Sequence, residues 1–399
     1  MLGRQRFLTR GAIAASTVAV IVALSAAGYG HSSRHVAASA ASAKCTTSIA
    51  TEAPITGEYS QEGDEQLHFI ELAVKMENKA LGVHVALNQD DTQMVPSKAV
   101  SMGQAIISSP AVAVVGPSSS GEVEAIGPSL GRAGLAFVSG SATLPSLDRG
   151  KNPTFFRTVP DDNIQGPNDA RYIVKHLHPK AVLIIDDDEA YSQGLVAAMI
   201  PVLKHAGIKV NHQTVNGANT GATMSSALAS LVTAQLTPAE TVTILPWQSA
   251  PNAQQFGFDA QQQHKQTIIF GTDGINSPTQ FKIPGSYVSN FGPDISLSHS
   301  AMDRAILAGV KKYGPYGSAG VPSYAAAQVV MQAIANVCKR GATPTRSNVL
   351  TALRHVNIPP SKNPLGVRLA FAHNGNLKGS PGFLFKVRAG GKYVSIPDK

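Results

Sequence analysis

Cysteine, tryptophan and long apolar runs are what this chain has least of. Two cysteines and one tryptophan occur in 399 residues. There is no Cys-x-x-Cys and no His-Glu-x-x-His, and the only histidine pair at helical i, i+4 spacing, His31 and His35, lies in the first 43 residues. Those absences exclude a zinc-ribbon, zincin or thioredoxin-like reading. No uninterrupted apolar run reaches the roughly 18 residues a membrane-spanning helix needs. Lysine and arginine form no cluster interleaved with aromatics, so nothing resembles a nucleic-acid-binding surface and no nucleic-acid partner is expected. His176 and His178 flank Leu177 at a predicted helix end, and Asp186 to Glu189 read as a loop at a strand end; neither reads as a metal site, and no cofactor is expected.

The first 43 residues read as an address. Arg4, Arg6 and Arg10 form a basic start, Gly11 to Ala27 is mostly apolar, and a Ser/Ala-rich stretch ends in Ala-Ser-Ala at 41–43. This predicts an exported protein of the periplasm or cell envelope. The segment carries four arginines and no acid, so the remainder holds 29 basic against 25 acidic residues, a balance of +4 rather than the +8 of the whole chain.

What the chain has is a repeated strand-end pattern. The apolar runs Val112 to Val115 and Leu135 to Val138 break into small hydroxyl- and glycine-rich loops, GPSSSG at 116–121 and SGSAT at 139–143. Ala181 to Ile185 opens into DDDEAYSQGL, which puts Tyr191 near the start of a helix, and Ile268 to Phe270 opens into GTDG with Asp273 at its tip. Continuous apolar runs alternating with helical periodicity predict buried parallel strands, and ligands in open α/β sheets collect beyond the carboxyl ends of such strands. Predicted helices cover 65–79, 97–108, 122–132, 166–177, 193–206, 301–313 and 323–340. A chain of this length exceeds one core, so two lobes are expected. GANTGATMSS at 217–226 reads as a loop.

In order along the chain, APITGEYSQEGDEQLHFIELAV (53–74), NQDDTQMVPSKAV (88–100), VVGPSSSG, VSGSATLPSL, FFRTVPDDNIQGPNDARYI (155–173), IIDDDEAYSQGL, FGTDG, SYAAAQVV (323–330) and LGVRLAFAHNGNLKG (365–379) resemble the type 1 periplasmic binding proteins of the leucine/isoleucine/valine kind, receptors of branched-chain amino acid ABC importers. The resemblance implies two Rossmann-like lobes with parallel-sheet cores, 44–161 plus 290–358 and 162–289 plus 359–399, joined by a three-strand hinge. It also implies a small-molecule ligand, an ABC permease as partner, and a monomer. By position, Ser120 corresponds to a serine that binds the ligand carboxylate, Ser141 and Thr143 to its neighbouring loop, Tyr191 to a tyrosine of the opposite lobe, and Asp273 to an acid that accepts the ligand ammonium. Each has a plainer alternative: Ser119 or Ser120 as a helix cap, Tyr191 as cleft packing, Asp273 as a turn residue.

Two positions depart from the family pattern. Glu62 stands where branched-chain receptors carry an aromatic, and an unpaired carboxylate is unfavourable beside an isobutyl group. Trp247, near the second lobe's strand end, either stacks on the ligand or belongs to the core. The ligand is therefore open among a polar or cationic amino acid, an amide and a small organic metabolite. With export expected, Cys45 and Cys338 form a disulfide candidate within one lobe; the alternative is a lipidated Cys45, although Lys44 stands where a small residue should precede such a cysteine. A sensor of the same fold and an amidase-like hydrolase are the rival functions. Against an enzyme, Glu122 occupies the lysine position of a phosphate loop, and Ser141 lacks the glycine of a nucleophile elbow.

Overall fold

The computed structural model describes residues 45–396 except 149, 151, 216–228, 230–236 and 381. The predicted export segment and the 217–226 loop lie outside these described residues. Two sheets organise the rest.

The first sheet runs β2-β1-β3-β4-β5, all parallel. Its strands are β1 (Thr46–Ala53), β2 (His84–Asp91), β3 (Ala113–Val115), β4 (Ala136–Ser139) and β5 (Phe155–Arg157). Helix α1 (Ser60–Leu81) buries Leu67, Phe69, Ile70, Ala73 and Val74, a stripe at helical spacing, and stops at Gly82, whose φ of 68° only glycine adopts freely. The connection β2 to β3 carries α2 (Pro96–Ser108), and β3 to β4 carries α3 (Ser120–Arg132). Right-handed crossovers place α2 and α3 on one face, where Ile106, Val123, Ile126 and Leu130 meet Val114 and Phe137.

The second sheet runs β12-β11-β10-β9-β8-β6-β7. Helix α4 (Asp162–Tyr172), extended by a wider turn over Ile173–Leu177, precedes β6 (Ala181–Asp186), α5 (Ala190–His205) and β7 (Lys209–Thr214). Then come β8 (Thr241–Leu245), α6 (Ala250–Gln262), β9 (Ile268–Gly271) and β10 (Tyr287–Asn290). The chain returns to the first sheet with α7 (Ala301–Val310), α8 (Gly320–Lys339) and α9 (Arg346–Leu353), whose apolar faces join α1 on its second face. It ends as β11 (Phe383–Val387) and β12 (Tyr393–Ile396), antiparallel additions to the second sheet.

The expected third crossing near Pro359 is displaced. Leu365, Leu369, Phe371 and Leu377 are buried in the core of the first sheet, so the chain leaves that core only after Leu377. Burying these four side chains holds 365–377 against the first lobe, past the boundary at 358/359 that the family resemblance implied.

Candidate functional site

The carboxyl ends of the two sheets face one another. Gly116, at the end of β3, has φ of 122°, and a Cβ there would meet the Glu52 carbonyl oxygen at 2.4 Å. Only glycine permits this approach, and it aims the following serines toward the gap. A Cβ on Gly140 would meet the Ser323 Oγ at 2.6 Å, so the loop after β4 is pressed onto the start of α8.

The three serines divide their work. Ser119 caps α3: its side chain accepts from the Glu122 amide at 3.2 Å while Glu122 accepts from the Ser119 amide at 2.7 Å, a reciprocal capping box. Ser120 Oγ accepts from the amides of Thr143 and Leu144 at 3.3 and 3.2 Å, tying the two loops together. Ser118, which sequence reasoning passed over, donates to the Oε1 of Gln66. Gln66 Nε2 in turn reaches Glu62 Oε1 and Ser141 Oγ, each at 3.1 Å, and Ser141 donates to the Ser118 carbonyl at 2.6 Å. Glu62 and Gln66 share a face of α1 one turn apart, so a single helix presents both to the loops. Thr143 is fully buried, with its hydroxyl toward Asp162.

Across the gap, Tyr191 lies in the first turn of α5 and its hydroxyl meets Thr272 Oγ1 and Asp273 Oδ1, each at 2.7 Å, and accepts from the Gly274 amide at 3.1 Å. Asp273 is 5% exposed, and its Oδ1 also accepts from Gln165 Nε2 at 2.6 Å. Gln165, on α4, is a second residue that sequence reasoning missed. An amide in a polar helical stretch gives no sequence signal, and only the packing of α4 beneath β9 and β10 makes it a donor here.

Glu62 and Asp273 line one small cavity of about 30 Å³ together with Glu58 and Glu65. Burial, then the neighbouring carboxylates of Asp273, Glu65 and Glu122, pushes Glu62 up to about 8. Asp273 is pushed up to about 7 by burial against the opposing pull of its Gln165 and Tyr191 bonds. Glu65 accepts the amides of Gly317 and Gly320 at 2.6 and 2.5 Å, yet burial still holds it at about 7. Asp162, fully buried beside α5, is pushed up to about 8 by burial. Low dielectric disfavours each anion, and neighbouring carboxylates add to the rise at Glu62 and Asp162.

Trp247 sits in the second core. Its indole Nε1 donates to the Ile185 carbonyl at 2.8 Å, its ring packs edge-on against Phe256, and it is 3% exposed within the second core. Apolar surface on α6 claims the ring, and the residues after it, Gln248 and Ser249, reach the cleft instead. The Cys338 thiol is hydrogen-bonded to Cys45, and burial followed by that contact pushes it up to about 12. Both thiols are free in the structure. Among the described residues no group of three or more His, Cys, Asp or Glu could hold a metal ion, and no helix is long and apolar enough to cross a membrane.

Comparison with known proteins bears directly on this two-sheet cleft. The family model described as periplasmic binding protein matches residues 46–392. The leucine-, isoleucine-, valine-, threonine- and alanine-binding protein of Pseudomonas aeruginosa is 29% identical over 168 residues, 41% of this chain but only 45% of that protein's length. A Leu/Ile/Val-binding protein homolog of Brucella melitensis is 28% identical over 361 residues, covering 88% of this chain and 93% of its own. The crystal structure of a leucine-binding protein from Thermotoga maritima superposes with a TM-score of 0.76 at 20% identity, over 88% of this chain and 98% of that one. With the matched segment spanning the first sheet, the second up to β11 and every strand-end loop described above, the chain belongs to the periplasmic binding protein family, in its type 1 fold.

Proposed function

We propose that the chain is an extracytoplasmic solute-binding receptor of an ABC importer that captures an amino acid or similar small polar metabolite between its lobes and hands it on unchanged. One observation carries the reading: hydroxyl-bearing loops at one sheet's carboxyl edge, with Ser118 and Ser141, oppose a buried carboxylate held by Tyr191 and Gln165 at the other. Such an arrangement offers hydrogen-bond donors on one side and an anion on the other. Among the described residues, neither loop serine named as a candidate is paired with a base. Ser120 Oγ serves two backbone amides and Ser141 Oγ a carbonyl and an amide side chain, so neither hydroxyl faces a base.

Three connecting segments, 158–161, 291–294 and one beginning at 378, join the lobes and form the hinge of the proposed closure. Binding energy then shifts an open–closed equilibrium, and a membrane permease reads the closed form. The relatives named above as binding proteins support this role, as does the export expected from the first 43 residues. Isothermal titration of the mature chain against amino acids, amides and small carboxylates should give one-site binding with the ligand recovered intact. Recovery of a chemically altered compound would replace the receptor with an enzyme.

A further inference from the structure

We infer that Arg157 is a positioning residue of the cleft: its guanidinium fixes the direction of the loop 142–144 and ties that loop to two of the three lobe crossings, so that loop geometry and hinge state move together. The inference rests on the receptor reading and adds to it the residue through which the hinge acts on the binding loop.

Arg157 ends β5 and pairs in register with Ser139, the last residue of β4 before the loop departs. Strand pairing alone therefore delivers the side chain beneath that loop. Arg157 is fully buried, and enclosing a guanidinium is costly unless its N–H groups find acceptors. Here they do so in three directions. Nη1 donates to the carbonyls of Ala142 and Leu144 at 3.3 and 2.9 Å, and Nε donates to Asn376 Oδ1 at 2.7 Å. Nη2 lies 3.4 Å from the Asp148 carboxylate and 3.8 Å from that of Asp161. Burial works against the charge, and Asp161, Asp148 and Asp162 sustain it.

The first direction orients the loop. The peptide joining Ala142 to Thr143 has its carbonyl on Arg157 and its amide on Ser120 Oγ, so it is held from both sides. The next carbonyl but one, that of Leu144, also points at Arg157, while the Leu144 amide points at Ser120. Between them, the Thr143 carbonyl accepts from the Asp162 amide at 3.1 Å, where α4 of the other lobe begins.

The other two directions reach the hinge. Asp161 lies in the crossing 158–161. Asn376 stands just before the crossing that begins at 378, and its Nδ2 donates to Asp148 and Asp161 at 2.7 and 3.1 Å. The Arg157 amide donates to the Gly375 carbonyl at 3.1 Å. Gly375 has φ of 85°, and a Cβ there would meet the Phe155 carbonyl oxygen at 2.1 Å, so glycine seats the returning chain directly on β5. One planar cation is thus shared by the binding loop and the bases of two crossings. Lysine carries the same charge but cannot fork toward all of these acceptors at once.

Asn376→Ala is the discriminating variant, because the hydrogen bonds of that side chain go to Arg157, Asp148 and Asp161 and not to the loop. Amide hydrogen exchange is followed across 139–147 in the ligand-free mature chain, and the standard L-amino acids are titrated one at a time by calorimetry. We expect Asn376→Ala to speed loop exchange by about tenfold while β1 and β3 keep the parent's rates, and to weaken the best-binding amino acid by about tenfold. In an Arg157→Lys background, where the connection is already cut, it should do neither. Unchanged loop exchange or unchanged affinity in Asn376→Ala overturns the inference, as do additive effects of the two substitutions. Acceleration that runs equally through β1 and β3 also overturns it, since that marks a general loss of stability. Should Arg157→Lys fail to fold by circular dichroism, Asn376→Ala decides alone. If no amino acid gives heat with the parent, the amino acid receptor reading falls, and loop exchange by itself decides the role of Arg157.

Discussion

Burial sets the protonation of the cleft, and its sign has consequences for stability. Glu62, Asp162, Glu65 and Asp273 are held at about 8, 8, 7 and 7, against ordinary carboxyl values of 4.5 or 3.8. Between the ordinary values and about 8, the folded ligand-free protein keeps protons that the unfolded chain has released. Stability therefore falls as pH rises through this window. Thermal melts should show the ligand-free protein most stable near pH 5 and progressively less so toward pH 8, and Glu62→Gln should flatten part of the slope. A melting temperature that rises over the same range would contradict the burial of these groups. Trp247 makes a separate residue-scale claim. Replacing it with Phe removes the bond to the Ile185 carbonyl and should cost about 1–3 kcal/mol in denaturant unfolding. Ligand affinity should stay unchanged, since the indole faces the core rather than the guest.

Among the elements, β1 and α8 are joined by the contact between Cys45 and Cys338. Oxidising that pair would close a loop spanning most of the chain, worth about 2–4 kcal/mol by constraining the unfolded state. Non-reducing peptide mapping of protein from an oxidising compartment should recover the two cysteine peptides linked, and reduction should lower the melting temperature. A lipid on Cys45 in the mature protein would exclude the bridge.

The parallel strands were legible in the sequence because burial on both faces leaves unbroken apolar runs, as in Ala181 to Ile185. By contrast, β11 and β12 were missed: their residues alternate between half-buried and buried or exposed positions, and β10, the strand that ties β11 to the sheet, lies about ninety residues earlier. The first turn of α1 was also missed, since Ser-Gln-Glu-Gly-Asp carries no apolar stripe, and with it went the geometry that pairs Glu62 with Gln66. Sequence placed Tyr191 and Asp273 at strand ends, where the structure has them. It could not rank Ser118 over Ser120, because three adjacent serines are chemically equal until the turn at Gly116 assigns each a direction. Nor could it tell a stacking tryptophan from a core one.

At the scale of the molecule, the lobes are bridged by a few polar contacts at the cleft mouth. Gln61 Nε2 donates to Ser277 Oγ at 2.7 Å, Glu58 accepts from Ser249 and Asn252 at 3.1 and 3.3 Å, and Ser318 donates to the Asp273 carbonyl at 2.7 Å. Contacts made only when the lobes meet favour the closed form without touching a guest, so removing them acts through the open–closed balance. The double variant Gln61→Ala with Ser277→Ala should weaken ligand binding by about fivefold, given roughly 1 kcal/mol for such an exchange. Small-angle scattering should show its ligand-free form expanded relative to the parent. Equal affinity and equal dimensions would mean that these bonds contribute nothing to closure.

The order in which the chain visits its two sheets governs when either can be finished. The first sheet has all its strands by Arg157, yet one of its faces is covered by α1 alone until α7 and α8 arrive at 301–310 and 320–339; the second lacks β11 and β12 until 383–396. A polypeptide growing from the ribosome thus exposes two half-covered sheets until β11 and β12 have emerged. It stays threadable for most of that time, and a nonsense codon anywhere before β11 should yield fragments destined for proteolysis rather than a single working half.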